Sequence, residues 1–238
     1  MSESSKKVGI IGAMDIEVKM LREDLSGTRE VCSGGLVFVE GTLNGVSVVI
    51  VKSGIGKVNA ALCTQLLVLK FGVTHVINTG IAGAMASGLK VLDFVVSEDA
   101  LYHDFDTTGF GYKPTVIPQM DCSDFRADEA MVKAARTAFG SQKDAEGHAL
   151  IVGRIASGDQ FISSKEQKDR IRSVCNPACV EMEGTAIAHA CYINKIPFVI
   201  IRCMSDMADD NGENTYNFNE ETAAGLSAGL VKNMLPLF

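Results

Sequence analysis

The chain has 238 residues and a formal net charge of −7, with 47% hydrophobic and 21% charged residues. A chain of this length buries enough surface to need no disulfide or metal as a staple. An acidic sequence without a basic face makes a poor partner for nucleic acid, so a small ligand is expected. No apolar run approaches the ~18 residues of a membrane span. The opening MSESSKK lacks the apolar stretch of a secretion signal, which leaves the cytoplasm as the expected compartment.

In chain order, residues 8–12 read as a strand ending in glycine and 15–25 as a helix. Residues 36–43 and 46–52 are β-rich, and Asn44-Gly45 between them is a hairpin signal. Apolar residues at helical spacing over 57–71 stop at Gly72. Strands are predicted over 74–78 and 94–97. The stretch 104–124, with Gly109, Gly111, Pro114 and Pro118, is too long for a mere connection, and a loop of this length is either functional or disordered. A helix over 127–139 and a strand over 150–156 follow. A capping box, Ser163 with Glu166 or Ser164 with Gln167, opens the next helix. A short strand from 179, a helix over 185–194, a strand over 198–202 and a helix from about 220 finish the chain. Strands alternating with helices predict a single α/β domain over 1–238. Its central sheet is mixed but mainly parallel, with helices on both faces as a three-layer sandwich.

The cysteines (Cys32, Cys63, Cys122, Cys175, Cys179, Cys191, Cys203) are odd in number and contain no C-x-x-C pair, so they read as reduced core residues. The histidines show no ligand spacing, and no metal site is expected.

Open α/β sheets bind ligands beyond the carboxyl ends of their strands. Those places hold Met14-Asp15-Ile16-Glu17, Thr79-Gly80-Ile81-Ala82-Gly83, Ser157 to Ile162, Glu181-Met182-Glu183, and Ser205-Asp206. Each acid has a plain structural alternative. Asp15 and Glu17 suit a helix N-terminus, and Asp206 suits a turn. Glu181 and Glu183, two apart, would share one face of a strand and are harder to dismiss. Ser53-Gly54-Ile55-Gly56-Lys57 fails as a phosphate loop, because Val58 stands where Ser or Thr would hold magnesium. Carboxylates gathered without metal ligands or a Ser/His pair suit acid–base hydrolysis. Cleavage of an N-glycosidic bond needs an acid for the leaving base, negative charge beside the cationic sugar and a base for water. Asp206, Glu183 and Glu17 are the candidates, and chemistry alone does not assign the roles.

Seven blocks in order, GIIGAMDIE, KSGIGKVNAA, INTGIAGAM, LYHDFDTTGFGYKP, IASGDQFI, VEMEGTAIAHAC and RCMSDMAD, resemble the 5′-methylthioadenosine/S-adenosylhomocysteine nucleosidase family. The resemblance implies a nucleoside phosphorylase-like fold, a homodimer, an adenine nucleoside substrate and no cofactor. It implies Glu17 as the base for water, Asp206 as the acid at adenine N7 and Glu183 at the ribose hydroxyls. Arg202 would help hold the water. Phe161 would stack on adenine, with the Ile162 backbone reading its edge. Met14 and Met182 would touch the ribose and 5′ side, and Phe218 would cover the 5′ substituent. Ala82, Gly83 and Ser205 would line the pocket. Ile55, Phe110, Tyr112 and Pro118 would come from the partner subunit. Ile81 replaces a Ser or Thr of many members, which predicts a missing hydroxyl near Asp206 and a raised pKa there. The stretch from Ala208 to Phe218 is two residues longer than expected.

The nearest alternative is a phosphate-dependent phosphorylase of the same fold. It would need arginines where this chain has Met14 to Glu17 and Asn78-Thr79. A non-catalytic nucleoside-binding module is the other alternative, and retention of three candidate carboxylates speaks against it.

Overall fold

Alternating apolar residues decide the layering. In the first strand, β1 (Lys7–Gly12), Val8 and Ile10 enter one core while Ile11 enters another. A strand that buries both faces needs helices on both sides. The computed structural model describes residues 6–209 and 212–238, and for 212–215, 217 and 218 the backbone alone.

After β1 come α1 (Asp15–Glu23), β2 (Ser26–Ser33), β3 (Leu36–Leu43), β4 (Val46–Lys52) and α2 (Lys57–Phe71). Then follow β5 (His75–Ala84), β6 (Phe94–Tyr102), β7 (Phe125–Arg126), α3 (Glu129–Phe139) and β8 (Leu150–Ser157). The chain ends with α4 (Lys165–Cys175), β9 (Cys179–Glu181), α5 (Gly184–Asn194), β10 (Phe198–Asp206) and α6 (Gly212–Met234). All ten strands form one mixed sheet. Strands β4, β1, β5 and β10 run parallel, and β6, β8 and β9 form a second parallel group. Antiparallel pairings of β10 with β6 and of β5 with β9 join the groups. Strands β5, β10, β6, β8 and β9 thereby close a ring at one end of the sheet. Helices α1, α3 and α6 cover one face, and α2 and α5 the other. This is the expected mixed α/β sheet clothed on both sides.

The structure corrects several boundaries. Strand β2 was not expected: its residues are mostly exposed and carry no alternating pattern, and β3 alone organises it as an edge. β5 runs to Ala84 and β10 to Asp206, well past the predicted ends. α6 begins at Gly212 instead of about 220. Of the two possible capping boxes, Ser164 is the cap: its Oγ accepts from Gln167 N–H at 3.3 Å. All seven cysteines are unpaired, and Cys32 is exposed where a core position was expected.

Candidate active site

Strand ends and helix starts meet around a cavity of about 620 Å³. Glu17 reaches it from the first turn of α1. Its Oε2 accepts from Ala13 N–H at 2.7 Å and Met14 N–H at 3.0 Å, so it caps its own helix. Its Oε1 accepts from Ile81 N–H at 3.1 Å. Burial raises the pKa of this carboxyl, while Arg202 and the three amides pull it back. A partly basic carboxylate held in place is what water activation asks for.

Asp206 sits opposite Gly83, where a bulge between Met204 and Asp206 shifts the register of β10 against β5. Bulges re-aim side chains, often beside active sites. Its Oδ1 accepts from Ala208 N–H at 2.7 Å and its Oδ2 from Ser205 Oγ at 2.8 Å. Burial raises its pKa against both of these bonds. The hydroxyl donor expected of a Ser or Thr at position 81 is thus supplied by Ser205. Ile81 itself packs in the α1–α3–α6 core, on the cavity floor beside Ala82 and Gly83.

Glu181 and Glu183 do not share a strand face, because β9 ends at Glu181 and Glu183 is the N-cap residue of α5. Their jobs differ accordingly. Glu181 accepts from Ser157 Oγ, from Glu183 N–H at 3.0 Å and Gly184 N–H at 2.7 Å, and from Arg202 at 2.5 Å. It caps α5 and anchors Arg202. Glu183 Oε1 accepts from Gly56 N–H at 2.8 Å. Burial, and then the charge of Glu181, pushes its pKa up to about 8.

Two glycines make room for this chemistry. A Cβ on Gly80 would lie 2.3 Å from Glu17 Oε1, and one on Gly83 would lie 2.9 Å from Asp206 Oδ1. Gly80 and Gly83 are β5 residues whose side-chain space the carboxylates of Glu17 and Asp206 occupy.

Among the other expected residues, Met14, Phe161, Met182, Ala82, Gly83 and Ser205 line the cavity. Ile162 is buried behind it and borders a smaller adjoining recess. Ile55, expected from the partner, lines this chain's own cavity, since Glu183 of the same chain holds the turn that carries it. Phe110, Tyr112 and Pro118 do not line it. Arg202 lies behind the wall, its guanidinium bound to Asn78 and Glu181 and close to Glu17, and does not face the cavity. The side chain of Phe218 lies outside the described residues. The aromatic that α6 sends into the cavity is Tyr216, which the sequence reading missed. Its ring meets Phe161 edge-on at 5.8 Å and its hydroxyl reaches Met14 Sδ at 3.5 Å. Among the described residues, no lysine or arginine lines the cavity and no acid or histidine cluster could hold a metal.

Residues 7–236 match the model of the phosphorylase superfamily. A 5′-methylthioadenosine/S-adenosylhomocysteine nucleosidase of Colwellia psychrerythraea is 44% identical over 232 residues, covering 96% of this chain and 95% of that protein. The chain belongs to this nucleosidase family. A crystal structure of the Neisseria meningitidis nucleosidase in complex with methylthio-immucillin-A superposes with a TM-score of 0.92 at 40% identity, covering 96% of this chain and 98% of that one. The Colwellia nucleosidase in complex with adenine gives 0.93 at 43%, covering 98% and 96%. A futalosine hydrolase mutant of Helicobacter pylori gives 0.91 at 31%, covering 98% and 100%. The fold is therefore the nucleoside phosphorylase fold of the family. No helix among the described residues is long and apolar enough to cross a membrane.

Proposed function

We propose that this protein hydrolyses the N-glycosidic bond of 5′-methylthioadenosine and S-adenosylhomocysteine, giving adenine and the 5-substituted ribose. The observation that carries the reading is one cavity lined by four buried carboxylates, of which Glu181 is bound to Arg202 while Glu17, Glu183 and Asp206 stand in distinct surroundings, and, among the described residues, by no lysine or arginine. Phosphorolysis would need positive charge for phosphate, and the buried arginine nearest the cavity, Arg202, is already neutralised by Glu181.

Asp206, whose carboxyl burial raises above its ordinary pKa, gives its proton to N7 of the base, so adenine leaves neutral. Glu183 accepts hydrogen bonds from the ribose hydroxyls and faces the cationic sugar with its charge. Glu17 takes the proton of the attacking water. Arg202 acts on that step from behind, by pulling the Glu17 pKa down against the effect of burial. Phe161 stacks on adenine, the Ile162 backbone reads its edge, and Met14 and Met182 bound the ribose and 5′ side. Tyr216 takes the part expected of Phe218.

The chain works as one cytoplasmic domain and pairs with a second copy. What supports the dimer is exposed apolar surface: Ile55, which lines the cavity, then Val58 and Leu62 one turn apart on α2, all more than half exposed, and in the long loop Phe110 at 86% exposure. Phe110, Tyr112 and Pro118 then complete the partner's 5′ pocket. The assay is release of free adenine in phosphate-free buffer, with kcat/KM compared for methylthioadenosine, S-adenosylhomocysteine, 5′-deoxyadenosine and aminofutalosine. A ribose-1-phosphate product, or turnover that requires phosphate, would overturn the reading.

A further inference from the structure

Glu183 takes its backbone hydrogen bond from a glycine turn whose first half is tied to β1, Ser53 N–H donating to the Gly12 carbonyl at 2.9 Å and Gly54 N–H to that of Ala13 at 3.1 Å, and whose Ile55 carbonyl accepts from Asn59 Nδ2 at 2.6 Å. Gly54 and Gly56 stand at φ +85° and +97°, conformations reserved for glycine, and a glycine turn has the most freedom to lose. Something outside the turn also fixes its Gly56 end.

The next residue shows what does. Lys57 N–H donates to Asp159 Oδ1 at 2.9 Å, and Lys57 Nζ donates to Asp104 Oδ2 at 2.6 Å. Asp159 N–H in turn donates to the same Asp104 oxygen at 3.0 Å, and Nζ lies 3.6 Å from Asp159 Oδ2. The three residues close a ring of hydrogen bonds across three loops: the turn before α2, the loop after β8 that carries Phe161, and the long loop after β6. The Lys57 and Asp104 side chains are 25% and 14% exposed, so the pair is more than a solvated surface contact. Burial opposes ionisation of Asp104, yet Lys57 and the Asp159 amide hold its carboxyl below the ordinary value. None of the three lines the cavity.

We propose that Lys57, Asp104 and Asp159 are positioning residues for the hydrolysis, which fix the Gly56 N–H and through it the Glu183 carboxylate, and tie that carboxylate to the Phe161 loop. The inference rests on the assignment of Glu183 to the ribose.

The ring predicts a particular effect on pH dependence. Glu183 faces Glu181, Glu17 and Arg202, and the Gly56 amide is the partner that the ring controls. A loosened turn withdraws that N–H from the ionised form, so Glu183 becomes harder to ionise. The test is the pH profile of kcat and kcat/KM for Lys57→Met, Lys57→Arg and Asp104→Asn beside wild type, with thermal midpoints measured in parallel. Lys57→Met and Asp104→Asn should lower kcat by about 10- to 100-fold, the scale of a misplaced catalytic group. Their acid limb should move to higher pH, and Lys57→Arg should recover most of the activity and the limb. Asp104→Asn, being isosteric, carries the test if Lys57→Met costs the fold. A lowered midpoint with kcat and acid limb unchanged would mean the ring is structural only, and the inference would fall. Glu183→Gln separates the two readings. Full activity in that variant would remove Glu183 from the mechanism. An inactive Glu183→Gln beside wild-type profiles in the ring variants would overturn the ring alone.

Discussion

At the scale of single residues, burial sets the three carboxylates and hydrogen bonds trim them. Asp206 suits the proposed acid role because burial outweighs its two donors, Ser205 Oγ and Ala208 N–H. Asp206→Asn keeps the volume and an acceptor for Ala208 but has no proton to give. Its kcat should fall by at least ~100-fold with the fold intact by circular dichroism; near-normal turnover would remove Asp206 from the acid role. Ser205→Ala deletes a donor to the charged form, so the Asp206 pKa should rise further. An acid must be protonated to act, so the alkaline limb of kcat/KM should move to higher pH. Ile81→Ser should leave that limb in place and cost ~1–3 kcal/mol of stability, because Ile81 is a packed core residue. The opposite pattern, a limb that follows Ile81 and ignores Ser205, would return the tuning role to position 81. The acids themselves were legible in the sequence, since each stands just beyond an apolar run. Tyr216 and the engagement of Arg202 with Glu181 were not, because neither leaves a local pattern.

Among the elements, β5 and β10 show where sequence patterning fails for a physical reason. Apolar alternation in 74–78 and 198–202 marks strands, but the last turns of both, Thr79 to Ala84 and Cys203 to Asp206, look like loop. They are strand because backbone pairing continues, and Gly80 and Gly83 lack side chains where the carboxylates of Glu17 and Asp206 fill the space beside them. Glycine lowers strand propensity; here it is required by the approach of carboxylates from α1 and from β10 itself. The edge strand β2 was illegible for the opposite reason: with almost nothing buried, it has no pattern to read. The test is Gly80→Ala. A methyl at 2.3 Å from Glu17 Oε1 must displace the base, and kcat should fall about 100-fold while KM changes little. A variant with wild-type kcat would show that Glu17 can move without penalty, which a fixed base cannot.

For the whole molecule, closing β5, β10, β6, β8 and β9 into a ring gathers acids from α1, the β9–α5 junction and β10 into one buried place. That gathering works against folding stability. Burying ionisable groups without matching countercharge raises their pKa values, and the carboxyls of Glu17, Glu183 and Asp206 are all raised. Glu183 rises from its ordinary 4.5 to about 8. Between those values the folded state holds a proton that the unfolded chain releases. Stability from this group is therefore fully present below 4.5 and is lost as pH rises through 8. Glu17 and Asp206 act in the same direction. Glutamine at 183 has no charge to bury and still offers Gly56 an acceptor. Glu183→Gln should match wild type in thermal midpoint at the acid edge of this window and exceed it at the alkaline edge, while losing activity throughout. That outcome would mark Glu183 as a site where stability is given up for catalysis. Parallel midpoint curves across the window would show that Glu183 ionises freely in the folded protein, and its raised pKa would have to be abandoned.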